Sequence, residues 1–269
     1  MKVVIITGAS EGIGAELAAQ MGTAERGDLS LVLVARRAEQ LEAVARRIRP
    51  HGTDVLCIPA DLREAAACRD VIAQTIARFG RLDVLVNNAG MSAHANLIDL
   101  AEQDDGWQDR LMTINYWSVL WLTQAALPHL LQTKGQVVGV SSVAGLVGVP
   151  GRTAYCASKF AMTGFLEALR AEMGAKGLRV TLAYPGTIDT NLRKQGYTAG
   201  GVAPGVSMLR DARAMPVDRC ARLIYDGMRR GKRDVLMTPR DRIGRWLRLI
   251  APGLVDRLAM ANVKPEYRP

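Results

Sequence analysis

Residues 3–14 read Val-Val-Ile-Ile-Thr-Gly-Ala-Ser-Glu-Gly-Ile-Gly, and this stretch decides the fold of the chain. Its β-branched start, Val3–Ile6, predicts a short buried strand, and the pattern after Gly14 predicts a helix through Met21. The glycines between them let the backbone approach a bound group closely. A helix that begins at such a turn presents free N–H groups to an anion. The stretch therefore predicts a strand–turn–helix cradle for a phosphate group.

The same alternation of apolar strand and amphipathic helix continues along the chain. Further strands are predicted at 29–35, 54–60, 82–86, 136–141, 178–184 and 234–237. Helices are predicted at 38–49, 63–79, 107–131, 155–175 and 216–230. Because strands joined by helices favour parallel pairing with right-handed crossovers, we predict an α/β fold. It is a single-domain Rossmann fold with a doubly wound, seven-stranded parallel sheet, helices on both faces and a C-terminal helical extension.

The composition is that of a globular chain of 269 residues, with 49% hydrophobic and 23% charged residues. A net charge of +9 suits anionic ligands or an anionic membrane surface, whereas 5% aromatic residues and no recognition motif argue against nucleic acid. The four cysteines form no CxxC pair, which is typical of reduced thiols, and the three scattered histidines predict no metal site. No signal peptide or apolar run of about 18 residues occurs, so we expect a cytoplasmic protein.

A second stretch, Ser142–Lys159, carries candidate chemistry. Tyr155 and Lys159 are four residues apart, so in a helix they share one face, one turn apart. An ammonium beside a phenol stabilises the phenolate and lowers the tyrosine pKa toward neutrality, where the group can exchange a proton. The alternative is a helix-capping tyrosine and a solvated lysine. Ser142 follows the strand 136–141 at its carboxyl end, where open α/β sheets bind ligands.

The second strand, 29–35, ends in Arg36-Arg37 and not in an acid. An Asp or Glu there would bind the ribose 2′-hydroxyl of NAD and repel a 2′-phosphate, whereas arginine offers a planar cation to a phosphate. The alternative is that both arginines only open the exposed helix 38–49. Since no acid occurs between Leu29 and Ala38, the sequence favours NADP(H) over NAD.

Taken together, these motifs resemble those of the short-chain dehydrogenase/reductase family over about residues 3–238. The glycine turn matches the family's first motif, Thr7-Gly8-x-x-x-Gly12-Ile13-Gly14. Two later motifs also match: Asn87-Asn88-Ala89-Gly90 after the fourth strand, and Pro185-Gly186 with Thr190 after the sixth. The family's catalytic tetrad corresponds to Asn115, Ser142, Tyr155 and Lys159. The run 151–161 and the start at Ala35-Arg36-Arg37 resemble the branch of hydroxysteroid, retinoid and 3-ketosphinganine-type reductases.

The resemblance implies a role for each member of the tetrad. Tyr155 would protonate a carbonyl oxygen in reduction or take the proton of an alcohol in oxidation, and Ser142 would hydrogen-bond the same oxygen. Lys159 would hold the nicotinamide ribose and lower the pKa of Tyr155, while Asn115 would hold a water that links Lys159 to solvent. From the residues alone, Asn115 serves either this role or the packing of an apolar helix. In both cases it needs partners, because an unsatisfied buried amide costs about 1–3 kcal/mol.

The resemblance also implies a set of residues that bind the cofactor. They are Gly8, Ser10, Glu11, Gly12, Ile13, Gly14, Arg36, Arg37, Asp61, Leu62, Asn88, Ala89, Gly90, Tyr155, Lys159, Pro185, Gly186, Ile188 and Thr190. One position departs from the family pattern, since many NADP-preferring members carry a basic residue where this chain has Glu11. The NADP(H) prediction therefore rests on Arg36 and Arg37, with Ser10 as a helper.

These observations predict an NADP(H)-dependent oxidoreductase that interconverts a ketone or aldehyde and an alcohol on an apolar, steroid-, retinoid- or lipid-like substrate. The alternatives are a reductase of 3-oxoacyl thioesters and a catalytically idle NADP-binding regulator. The family further implies a homodimer or homotetramer, formed through the helices 107–131 and 155–175. Trp117, Leu120 and Trp121 suit either a subunit interface or the core.

We predict that residues 1–238 form the catalytic domain and that residues 239–269 extend it. Within the domain, 191–215 is rich in Gly, Ala and Pro, and a loop of this length is typical of a lid over a site. The extension carries seven basic and three acidic residues, with apolar residues between arginines at helical spacing. Such a basic amphipathic helix is typical of a membrane-surface anchor. The alternative is a helix that packs on its own domain or on a second subunit.

Overall fold

A parallel sheet of seven strands forms the centre of the structure, a computed structural model that describes residues 1–100, 106–193, 195–201, 203 and 214–263. The strands are β1 Lys2–Thr7, β2 Leu29–Ala35, β3 Asp54–Pro59, β4 Val84–Asn87, β5 Gln136–Val140, β6 Arg179–Tyr184 and β7 Asp234–Leu236. Every neighbouring pair is parallel, and the order across the sheet is β3-β2-β1-β4-β5-β6-β7. The predicted α/β fold with a doubly wound parallel sheet is confirmed.

Helices connect the strands and cover both faces of the sheet. They are α1 Gly12–Ala24, α2 Ala38–Ile48, α3 Ala65–Phe79, α4 Trp107–Met112, α5 Ser118–Gln132, α6 Thr153–Met173, α7 Val217–Arg229, α8 Pro239–Ile250 and α9 Pro252–Ala261. The predicted helix 107–131 is not uniformly α-helical, because a π-helical turn at Thr113–Trp117 joins α4 to α5. Such a turn changes the direction in which the following side chains point, and it is frequent at functional sites.

The apolar core consists of two layers, one on each face of the sheet. Alternate residues of β1 point to opposite layers, with Val4 and Ile6 in the layer of α1, α2 and α7 and with Val3 and Ile5 in the layer of α3, α5 and α6. A strand buried on both faces needs apolar residues at every position. This requirement explains why β1 and β2 read as continuous apolar runs and not as alternating ones.

The strand order reverses between β1 and β4, and this junction determines where a ligand can bind. Thr7 ties the two strands together, because its Oγ1 donates to the Val86 carbonyl (3.2 Å) and accepts from the Asn88 and Ala89 N–H groups (2.9 Å each). The Asn88 side chain in turn donates to the carbonyl of Thr7 at 2.9 Å. The turns after β1 and β4 are thereby fixed side by side at the carboxyl edge of the sheet.

The predicted lid, 191–215, falls partly outside the described residues, namely at 194, 202 and 204–213. Its described part is attached beside the carboxyl edge of the sheet. Tyr197 exchanges backbone hydrogen bonds with the segment after β4, donating to the Ser92 carbonyl (2.9 Å) and accepting from the His94 N–H (2.8 Å). Its ring also packs against Trp107, at 5.5 Å between centroids.

The C-terminal extension, which the structure describes up to residue 263, forms α8 and α9, and two arginines of α8 turn toward the domain. Arg245 bonds Asp234 of β7 (2.6 Å), while Arg248 donates to the Leu146 carbonyl and stacks over the Phe160 ring. Of the apolar side chains of α8, Leu247 packs against the core, whereas Ile243, Trp246, Leu249 and Ile250 face solvent, with Trp246 66% and Leu249 72% exposed. Helix α8 thus packs on its own domain through Arg245, Arg248 and Leu247.

Candidate active site

The turn between β1 and α1 is shaped to receive a phosphate group. Gly8 and Gly12 have φ angles of +65° and +58°, in the left-handed region that favours glycine. A side chain at Gly8 would place its Cβ 2.9 Å from Cα of Ala89, so only glycine fits there. The N-terminus of α1 begins at Gly12 and offers its N–H groups at the same turn. The turn thus fits the pyrophosphate of a dinucleotide.

Charged side chains form one rim of this turn. Arg37 is bound to Glu11, with 2.8 Å between Nη2 and Oε1, and both side chains are about half exposed. Arg63 chelates Asp61 and holds the pKa of that carboxyl below its usual value. Among the described residues, Arg36 makes no such ion pair. Of the two arginines that suggested a 2′-phosphate, Arg37 is partly neutralised by the acid that departs from the family pattern.

Tyr155 and Lys159 lie one turn apart on α6, and both are buried. The Lys159 Nζ lies 5.9 Å from the centroid of the Tyr155 ring and donates to the Val140 carbonyl at 3.1 Å. Burial lowers the pKa of Lys159, the nearby Tyr155 opposes this effect, and the positive charge of Arg152 adds to it. The solvated-lysine alternative is wrong, because the Lys159 side chain is only 4% exposed.

Asn115 lies in the π-helical turn and is fully buried behind the lysine. Its Oδ1 accepts from the Met91 N–H (2.8 Å), and its Nδ2 donates to the Met91 carbonyl (2.9 Å) and to Ser158 Oγ (3.0 Å). The partners that the sequence required are therefore present. They join the π-helical turn to α6 and to the segment after β4. Gly90 lies against both groups, since a Cβ there would be 2.8 Å from Asn115 Oδ1 and 3.4 Å from Lys159 Nζ.

Ser142 lies just past the end of β5 and is nearly buried. Its Oγ donates to the Pro185 carbonyl (3.2 Å) and accepts from the Ala144 N–H (3.2 Å). These bonds orient the hydroxyl at the same edge of the sheet as the Tyr155 ring. The turn Pro185-Gly186 closes this part of the site.

One cavity of about 240 Å³ brings these groups together. Of the predicted site residues, those that line it are Gly8, Ser10, Glu11, Gly12, Ile13, Arg36, Arg37, Asp61, Leu62, Asn88, Ala89, Gly90, Ser142, Tyr155, Lys159, Pro185, Gly186, Ile188 and Thr190. Gly14 and Asn115 do not line it: Gly14 packs behind the turn against Gly8, and Asn115 holds the backbone of Met91. The cavity extends from the glycine turn to an adjoining space beside Tyr155.

Sequence reasoning missed several residues of the adjoining space. The missed side chains that line it include Met91, Ser92, Arg110, Ile114, Arg152, Leu192 and Tyr197. Arg152 could have been predicted from the sequence, because it lies three residues before Tyr155 in the same motif. The others come from a loop and from the start of a long helix, and no sequence spacing connects them with Tyr155.

Comparison with known proteins identifies the family. The family described as short chain dehydrogenase matches residues 2–199, so the chain belongs to the short-chain dehydrogenase/reductase family. Within it, the chain falls in the hydroxysteroid-dehydrogenase-like branch. The family consists of oxidoreductases that act on CH–OH groups, and this enzyme class is the one to which the chain belongs.

Two relatives illustrate the branch. The chain is 37% identical over 261 residues to 11-beta-hydroxysteroid dehydrogenase A of Sesamum indicum, covering 95% of this chain and 73% of that protein. It is 34% identical over 274 residues to dehydrogenase/reductase SDR family member 7B of Bos taurus, covering 99% of this chain and 82% of that protein.

Solved structures share the fold. A short-chain dehydrogenase/reductase from Burkholderia phymatum in complex with NAD superposes with a TM-score of 0.80 at 22% identity, covering 95% of each chain. An alcohol dehydrogenase from the archaeon Thermococcus sibiricus, complexed with 5-hydroxy-NADP, gives 0.74 at 24% identity, covering 88% of this chain and 95% of that one.

Proposed function

We propose that this protein is an NADP(H)-dependent oxidoreductase that interconverts a ketone or aldehyde and the corresponding alcohol on an apolar substrate. The observation that carries the proposal is the buried Tyr155–Lys159 pair, which opens onto the same cavity as the glycine turn of β1. An acid/base group and a nucleotide cradle on one cavity suit hydride chemistry, in which the protein supplies position and electrostatics.

The roles of the residues follow from their positions. The nicotinamide, when bound, supplies or accepts the hydride. In reduction, Tyr155 gives its proton to the carbonyl oxygen, and Ser142 donates a hydrogen bond to the same oxygen once its bond to Pro185 is exchanged. Lys159 stabilises the phenolate that remains and holds the ribose of the cofactor. Asn115 holds the segment around Met91 and a water that connects Lys159 with solvent.

The proposed preference for NADP(H) rests on Arg36. The related folds bind either dinucleotide, one with NAD and one with 5-hydroxy-NADP, so the choice depends on side chains at the rim. Arg36 is exposed at the cavity edge, and its guanidinium suits a 2′-phosphate. Glu11 limits this preference, because it forms an ion pair with Arg37 and its negative charge repels a phosphate.

Two substitutions test the cofactor preference in opposite directions. Arg36→Asp should move the ratio of kcat/KM for NADPH over NADH down by about tenfold or more, since a cation is replaced by an anion. Glu11→Gln should raise the ratio, because it releases Arg37 and removes one negative charge. If neither variant moves the ratio, the NADP(H) proposal is wrong.

The proposal of an apolar substrate rests on the lining beside Tyr155 and on the relatives. Met91, Ile114 and Leu192 supply apolar surface there, and one relative is named an 11-beta-hydroxysteroid dehydrogenase. Purified protein would be assayed for NADPH and NADH consumption against steroids, retinals, 3-ketosphinganine, 3-oxoacyl thioesters and small diketones, with Tyr155→Phe as control. Turnover of an apolar ketone that Tyr155→Phe abolishes supports the proposal. A preference for thioesters would favour the alternative of a 3-oxoacyl thioester reductase. Tight NADPH binding without turnover would favour the alternative of a catalytically idle NADP-binding regulator.

We propose that the extension 239–269 docks on an anionic membrane surface, while residues 1–238 form the catalytic domain in the cytoplasm. The outward face of α8 and α9 shows Ile243, Trp246, Leu249, Ile250, Leu254 and Leu258 to solvent. Exposed Arg240, Arg242 and Arg257 lie among them, which suits anionic lipid headgroups. Within the part of the chain that the structure describes, no helix is long and apolar enough to cross a bilayer.

Vesicle flotation tests the docking proposal. Intact protein should float with vesicles that contain phosphatidylserine, and Trp246→Glu should remove at least nine-tenths of this binding without loss of turnover. Point variants are preferable to truncation, because Val255 and Val263 of the extension are buried. No binding by the intact protein contradicts the proposal. A change of oligomeric state in Trp246→Glu would assign this face to a second subunit.

We further propose a homo-oligomer, a dimer or a tetramer, formed through α5 and α6. Trp117 is 43% exposed and stacks on Trp121, with 6.3 Å between ring centroids. Exposed aromatic residues of this kind are common anchors of interfaces. Light scattering of intact protein and of Trp117→Glu tests this proposal, and an intact protein that is monomeric at assay concentration would contradict it.

A further inference from the structure

Arg152 is a residue of the site to which neither the family motifs nor the proposed reaction assigns a role. It directly precedes α6 and is buried, with 7% of its surface exposed. Its guanidinium is fixed from two sides, since Nη2 donates to Ser92 Oγ (2.6 Å) and Nε donates to the Ala93 carbonyl (3.1 Å). The backbone around it is fixed as well, through the bond from the Ala95 N–H to the Gly151 carbonyl (2.8 Å).

The guanidinium lies against the face of the Tyr155 ring. Its Cζ is 4.0 Å from the ring centroid, much closer than Lys159 Nζ at 5.9 Å. Among the described residues, no carboxylate pairs with Arg152, and its hydrogen bonds go to neutral groups. Buried charges normally have a partner of opposite sign, because an unpaired one loses its hydration without compensation. The phenol of Tyr155, whose ring the guanidinium covers, is a group that can become such an anion.

Arg152 and Lys159 differ in how firmly they keep their charge. Lys159 is destabilised as a cation by its burial and by the charge of Arg152. A guanidinium stays protonated at all accessible pH values. The other titratable or charged groups near this point, among the described residues, include Cys156 on α6, whose pKa burial raises and Arg152 lowers, His94, whose ring lies against Gly151, and Arg110, which lines the cavity from α4. The cations recorded over the Tyr155 ring among the described residues are Arg152 and Lys159.

We propose that Arg152 is a positioning residue that acts through Tyr155: its permanent cation, clamped over the ring, stabilises the phenolate that forms when Tyr155 gives its proton to the carbonyl oxygen. In that step the O–H bond of Tyr155 breaks and an O–H bond of the product alcohol forms, while solvent later restores the proton to Tyr155. The reverse step, alcohol oxidation, starts from the phenolate. The inference rests on the proposed role of Tyr155 as acid/base.

The decisive experiment separates the charge of Arg152 from its hydrogen bonds. Arg152→Gln removes the charge but retains an N–H donor for Ser92 or Ala93, whereas Arg152→Lys retains the charge without the planar fork. The matched control is Arg248→Gln, which removes an arginine from over the Phe160 ring, 5.1 Å away and outside the cavity. For each variant, the pH dependence of kcat/KM would be measured in the direction of alcohol oxidation.

If the charge matters, the ascending limb of this profile moves to higher pH by about one unit in Arg152→Gln, and kcat/KM at a fixed pH below the limb falls about tenfold. Arg152→Lys should keep most of the limb, and Arg248→Gln should leave it unchanged. An equal fall of kcat/KM in both Arg152 variants with an unmoved limb would show a merely structural clamp and would overturn the inference.

A second measurement needs no substrate. The absorbance of tyrosinate would be titrated in the protein and in its Tyr155→Phe variant, and the difference reports Tyr155 alone. The same difference in the Arg152→Gln background should titrate about one unit higher. An unshifted titration contradicts the inference even where turnover is lost. If Tyr155→Phe itself remains active, it is the proposed reaction that fails, so the two failures are distinguishable.

Discussion

Helices α6 and α8 depart from the ordinary amphipathic pattern in opposite directions. α6 buries the cation Lys159, and the buried Arg152 precedes it, whereas α8 turns Arg245 and Arg248 toward the domain and leaves Trp246 and Leu249 in solvent. A helix that served only the fold would bury its apolar residues and expose its charges. Each departure therefore marks a surface that the fold alone does not require.

The two departures carry different costs, and the difference indicates what each helix does. Burying a cation costs about several kcal/mol of hydration free energy per ion. We therefore expect the buried charge on α6 to be present because an anion forms beside it. An exposed apolar face costs little until it meets other apolar surface. α6 thus has the properties of a site for chemistry, and α8 those of a surface for docking.

The largest effect should come from removing the charge of α6. We expect Lys159→Met to lower kcat/KM by about 10²–10⁴, because Tyr155 then exchanges its proton without a cation on its own helix.

The same change should alter how stability depends on pH. Burial lowers the pKa of Lys159, so the unfolded chain binds more protons, and the free energy of unfolding rises with pH up to about 10.4.

Denaturant titrations at several pH values check this dependence. The difference between the intact protein and Lys159→Met reports the lysine together with Tyr155, whose titration depends on it, because the other buried titratable groups are common to both. Relative to Lys159→Met, the free energy of unfolding of the intact protein should be lowest at low pH. This deficit should shrink as the pH approaches the ordinary lysine pKa. A difference that stays constant with pH would mean that Lys159 is not a strained cation.

The next largest effect should be a difference in stability between truncating a buried apolar residue of α6 and truncating an exposed one of α8. Leu166 of α6 is fully buried in the core, and Leu249 of α8 is exposed. Leu166→Ala should lower the free energy of unfolding by about 2–5 kcal/mol, and Leu249→Ala should change it by less than about 0.5 kcal/mol. Chemical denaturation measures both. A large loss in Leu249→Ala would show that α8 is packed against a partner subunit in solution.

The smallest effect concerns the start of α8. Thr238 and Asp241 form a capping box, in which the Thr238 Oγ1 accepts from the Asp241 N–H at 3.2 Å. Thr238→Ala should make local opening of α8 easier by about 1 kcal/mol, as measured by amide hydrogen exchange, with kcat unchanged. A loss of turnover would instead connect α8 with the site.

Most of the fold could be predicted from the sequence because its signals are local. A buried strand followed by a glycine turn and a helix is recognisable within a dozen residues, and β2 has the predicted bounds, Leu29–Ala35. The positions of Tyr155 and Lys159 follow from helical spacing in the same way. The π-helical turn around Asn115 had no such signal, because the same residues suit an α-helix equally well.

What the sequence did not predict depends on contacts between distant segments. Glu11 and Arg37 are 26 residues apart, and Arg152 and Ser92 are 60 apart, so neither pair has a recognisable spacing. For α8, helical spacing indicated which residues share a face. It could not indicate which face turns to the domain, since that depends on Asp234 and on the carbonyl of Leu146.

The strand order has a consequence for synthesis on the ribosome. β1 lies in the middle of the sheet, but its second neighbour, β4, is made about 80 residues later, which is about 4–16 s at about 5–20 residues per second. During that time β1, β2 and β3 can pair while one edge of β1 stays open. An apolar edge such as Val3–Ile6 invites pairing with other chains. We therefore expect the nascent N-terminal third to be prone to pairing with other chains until β4 is made.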